Sequence, residues 1–89
     1  MTWQDALRAT LAAGPAPAPS QTPAERKRRL GLAEWHLREA VYQEAANALD
    51  AADYHREAAR EFLELATGRK IPARDADALR FELQKELDQ

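Results

Sequence analysis

At 89 residues and 10.0 kDa the chain has room for one small core, and a domain of that size buries proportionately little surface, so pairing with further copies of itself is an expected source of stability. It has no cysteine, which excludes disulfides and disfavours a structural zinc site, and its net charge of -2 sets up no chain-wide field that would draw nucleic acid or a membrane. No apolar run is long enough to span a bilayer, and Trp3, Asp5 and Arg8 interrupt what would be the basic start and apolar centre of a secretion signal, so a cytoplasmic protein without a membrane partner is expected.

The chain begins with Thr2-Trp3-Gln4-Asp5, a capping-box pattern with Asp in place of Glu, which predicts a helix to about Ala13 with Trp3, Leu7 and Leu11 in line. A helix that short is marginal alone and has to dock. Its expected seat is the protein's own bundle or a sister subunit, with a groove on a separate partner protein as the alternative. Residues 14–23 follow as an Ala/Pro linker. Polyproline II geometry, at about 3.1 Å per residue, makes it a semi-rigid strut of roughly 25–30 Å.

The third region, 24–89, predicts an all-α domain, giving with the first helix a small bundle of three to four helices. Thr22-Pro23-Ala24-Glu25 supplies an N-cap hydroxyl, a proline at the first helical position and a Glu at the third. From Leu32 to Thr67 there is neither Gly nor Pro, and Gly68 and Pro72 mark the end. Leu30, Ala33, Leu37, Ala40, Val41, Ala45, Ala48, Ala52, Ala59, Phe62 and Ala66 share one face of a continuous helix drawn through this stretch. A second stripe of Trp35, Tyr42, Ala46 and Leu49 occupies the first half only, because the same sector then holds Arg56, Arg60 and Glu64. That change of character predicts a break at Leu49–Tyr54, with Asp50 or Asp53 as the new cap; the alternative is one unbroken helix paired with another chain. Ala76, Leu79, Leu83 and Leu87 define a last amphipathic helix, with Phe81 on its other side.

From Tyr42 the spacing of Tyr42, Ala45, Ala46, Leu49, Ala58, Phe62 and Leu65 is similar to one tetratricopeptide unit. The similarity covers under half the chain, Ala45 stands where the repeat has a large residue, and one unit cannot bury its own faces. Close packing of an Ala-rich hairpin accounts for the same spacings.

Catalytic chemistry is sparse. The one serine, Ser20, lies in the linker, and no glycine-rich loop is present to cradle a phosphate. His36 and His55 have no ligand-type residue one turn on, although His55 and Glu44 are both expected toward the main apolar face. No enzyme activity, cofactor or metal is expected. The basic run Arg26, Lys27, Arg28 and Arg29 sits at a helix start, where the macrodipole disfavours cations. Glu25 reaches Arg29 and Arg28 along the helix, but Arg26 and Lys27 have no acid at helical spacing. With Arg69 and Lys70 folded back beside it, this run is the candidate anion or nucleic-acid site. The expected function is a non-enzymatic interaction and oligomerisation module anchored by Trp3, Leu7 and Leu11 on the arm and by Trp35, Tyr42 and Leu49 on the second stripe, with a small nucleic-acid-binding protein as the alternative.

Overall fold

The computed structural model describes residues 21–89, together with Thr2 and Gln4; the arm anchors Trp3, Leu7 and Leu11 and most of the linker lie outside the described residues. Among the described residues the protein is a bundle of three α-helices with no strand: α1 (Pro23–Ala45), α2 (Leu49–Thr67) and α3 (Ala76–Leu87). No helix among them is long and apolar enough to cross a membrane.

The start of α1 follows its capping sequence. The Thr22 hydroxyl accepts the Glu25 N–H at 3.1 Å, and Pro23 occupies the first turn. Its end corrects the sequence reading. The chain does break, but at Ala46-Asn47-Ala48, ahead of the expected Leu49–Tyr54, and neither Asp50 nor Asp53 caps the next helix. Asn47 adopts the left-handed conformation with φ 61°, the Ala48 N–H donates to the Gln43 carbonyl at 2.8 Å, and the Asn47 N–H donates to Glu44 at 2.9 Å. This pair of bonds is a Schellman closure in which Asn does the work usually left to Gly. The cap position of α2 is Ala48, which offers no side-chain acceptor; Asp50 lies in the first turn, where the helix dipole favours its charge.

Gly68, with φ 71°, ends α2 as its sequence predicts. The Glu64 carboxylate then accepts the Ile71 N–H at 2.9 Å and turns the chain back. Asp75 caps α3 by accepting from Ala78 at 2.9 Å.

The antiparallel hairpin of α1 and α2 is the largest contact, and α3 lies across one side of it. Leu30, Ala33, Leu37, Ala59, Leu63, Ala66, Ile71, Leu79 and Leu83 form one buried cluster. Alanines at 33, 40, 52 and 59 are fully buried and let the two long helices approach closely. Leu37, Leu63, Ile71 and Leu79 are the largest sealed side chains, each worth about 1.5–3 kcal/mol of burial. Of the single face drawn through residues 30–66, Val41 is 48% exposed and Ala45 is exposed, while Leu63 belongs to the core without having been on that face. The turn at Asn47 is the reason: it resets the helical phase, so one wheel cannot describe both helices. Leu87, expected inward, is 47% exposed.

Candidate interaction face

The side of the hairpin away from α3 is built by heptad spacing on both helices. On α1, Leu32, Trp35, Glu39, Tyr42 and Ala46 recur at three and four residues; on α2, Ala51, His55, Ala58, Phe62 and Leu65 do the same. The second stripe is therefore not confined to the first half of the region. Arg56, Arg60 and Glu64, which seemed to end it, turn elsewhere: Arg56 pairs with Asp53 and Glu44, and Arg60 with Glu57 and Glu64.

The middle of this face is a knot of rings. Trp35 meets His36 and His55 edge-on, with centroids 4.9 and 5.7 Å away. Tyr54 meets the same two imidazoles edge-on, and Phe62 stacks on His36 at 5.6 Å. The His36 and His55 Nδ1 atoms lie 2.9 Å apart across the two helices. Burial, then the neighbouring His55, lowers the pKa of His36, and Glu39 opposes the shift. His36, Tyr54, Glu57, Ala58, Glu61 and Phe62 line a groove beside the rings. Yet the face remains open: Trp35 is 50% exposed, Tyr54 65%, Tyr42 68% and Leu65 52%.

Of the predicted anchors, Trp35 and Tyr42 lie in the α1 row, while Leu49 opens α2 on the other side from its row. The sequence reading missed Tyr54, His55 and Leu65, and Phe62, expected on the main apolar face, is half-buried against the core and turns its ring onto His36. The sequence reading had also placed Glu44 and His55 together on the main apolar face. Glu44 is instead exposed and pairs with Arg56 at 3.4 Å, while His55 joins His36. Among the described residues no group of three or more His, Cys, Asp or Glu is placed to hold a metal ion.

The two basic clusters meet at one end of the bundle, where the start of α1 and the end of α2 lie side by side, and they meet on an acid. Arg26, which lacks an acid along its own helix, donates to the Glu86 carboxylate at 2.7 Å, and Arg69 reaches the other oxygen of that carboxylate at 3.2 Å and Glu82 at 3.0 Å. Arg29 donates to the Gln21 side-chain carbonyl at 2.6 Å, and the Gln21 amide in turn donates to the Ala66 carbonyl near the end of α2. Glu25 lies 4.0 Å from Arg29 as the spacing predicts. Lys27, Arg28 and Lys70 are exposed and form no ion pair among the described residues. Half of the six predicted cations are therefore engaged in holding the bundle together.

No family model matches the chain, and no curated protein or solved structure matches it at a significant level.

Proposed function

We propose that the protein is a non-enzymatic helical module that pairs with a second copy of itself through the outer face of the α1–α2 hairpin. The observation that carries this reading is the ring cluster in which Trp35 and Tyr54 stand exposed over half-buried Phe62, where two heptad-spaced rows meet and α3 leaves them uncovered. Large exposed aromatics at the centre of a patch are what interface energetics favour. A face about 28 Å long and two helices wide offers roughly 550–700 Å² per partner, enough for a dimer at the smaller end of the standard size. Two such hairpins stacked face to face make a four-helix layer, which is self-complementary under a two-fold axis.

The test uses the absence of native cysteine. A single cysteine replacing Ala58, in the middle of the face, should cross-link between copies with a short bis-maleimide, whereas one replacing the exposed Gln84 on α3 should not. Cross-linking at Gln84 and none at Ala58 would move the interface to the other side of the bundle. The nucleic-acid reading keeps only Lys27, Arg28 and Lys70 as uncommitted contacts, because carboxylates and an amide already hold Arg26, Arg29 and Arg69.

A further inference from the structure

His36 and His55 are the two histidines of the chain, and the hairpin brings them together from opposite helices. At an Nδ1 separation of 2.9 Å one ring nitrogen donates and the other accepts, so the contact survives only while at least one imidazole is neutral. Both rings are partly buried, walled by Trp35, Tyr54 and Phe62, and both lie on the face through which the second copy is proposed to dock.

Resting on that self-association, we propose that the His36–His55 pair is a proton-operated latch on the docking face: neutral, it holds α1 to α2 and presents the ring cluster; doubly protonated, it releases the second copy. The charged groups facing the pair are Glu39 from α1 and, along the groove, Glu57 and Glu61 from α2; among the described residues α3 brings no charged group into the rings or the groove. Glu57 is already bound to Arg60 and Arg74, which draws its charge away from the imidazoles. Burial and the second imidazole outweigh Glu39 at His36. A second copy seated over the rings removes more water and favours the neutral form further.

The sign follows. An imidazole whose pKa is lowered in the assembled state binds fewer protons there, so assembly is intact above the ordinary histidine range and is lost as pH falls through it. Each proton taken up on release raises the dimer Kd about tenfold per pH unit; the step that breaks the contact, from a singly to a doubly protonated pair, takes up one proton per pair, and the two pairs of a symmetric dimer together give about a hundredfold per pH unit.

The experiment is light scattering with far-UV circular dichroism at about pH 7.5 and about pH 5, bracketing the histidine range, on the wild type and on His55→Asn. The Asn amide occupies the Nδ1 position and keeps a hydrogen bond to His36 without a second charge. The expected result is a wild-type dimer at the higher pH, a helical monomer at the lower, and a His55→Asn dimer at both. A wild-type dimer at both values overturns the latch and leaves the self-association standing. A monomer at the higher pH overturns the self-association and the latch with it. Release in His55→Asn equal to that of the wild type, or loss of helicity at the lower pH, assigns the effect to other groups and overturns the latch alone.

Discussion

The guanidinium of Arg26 and the carboxylate of Glu86 meet at 2.7 Å across sixty residues, tying the first turn of α1 to the last turn of α3. Glu86 is 8% exposed and takes Arg69 on its other oxygen, so one carboxylate joins the two basic clusters. Glu86→Ala leaves Arg26 without an acid and Arg69 with Glu82 alone. Both arginines remain partly in water, which screens the loss, and the expected destabilisation is about 1–2 kcal/mol, read from urea denaturation. A change below about 0.3 kcal/mol would mean the pair is held apart in solution.

Asn47 sets the hairpin by its positive φ. Asn47→Gly should be neutral or slightly stabilising, whereas Asn47→Val should cost about 1–2 kcal/mol, because a β-branched residue resists that conformation. Equal stabilities for the two variants would mean that the turn does not need the left-handed residue.

Gly31 lies exposed inside α1, and a Cβ built there meets nothing within 4 Å. Gly31→Ala should therefore raise stability by about 0.5–1 kcal/mol by removing backbone freedom from the unfolded chain. A loss of stability would show that something approaches Gly31 in the assembled protein.

Leu63 and Leu65 are two residues apart on α2 and differ in fate: Leu63 is sealed in the core, and Leu65 is 52% exposed on the outer face. Leu63→Ala should cost about 2–5 kcal/mol of unfolding free energy. Leu65→Ala should leave the dilute monomer within about 0.5 kcal/mol and weaken association instead. If Leu65→Ala destabilised the monomer as strongly as Leu63→Ala, the outer face would be part of the intramolecular core.

The helical class, the Thr22-Pro23 start, the Gly68 stop and most of the core on α1 and α3 were legible because each rests on local chemistry or a clean 3.6-residue period. The position of the turn was less so. It depends on one left-handed Asn in a stretch where Gly and Pro are absent, and Asn47 sits among alanines that continue a helix equally well. That one displacement propagated. It hid Leu63 from the core and made Arg56, Arg60 and Glu64 seem to end an apolar stripe that Tyr54, Ala58, Phe62 and Leu65 continue. The hydrogen bond between His36 and His55 was invisible for the same reason, since it exists only after the hairpin is folded at the right residue. A search for Asn as well as Gly at the break would have found it. The neutralisation of Arg26 and Arg69 by Glu86 is a contact between distant segments that no helical spacing encodes.

In the proposed dimer two copies meet through the ring-bearing face of the hairpin. The most direct measurement is the solution mass of the wild type and of a Trp35→Ala, Tyr54→Ala double variant, by light scattering over a dilution series at neutral pH. The expected result is twice the 10.0 kDa chain mass for the wild type and a helical species of one chain mass for the variant. A wild type that stays at one chain mass at every concentration, or a variant that keeps the wild-type mass with its helicity intact, would contradict it.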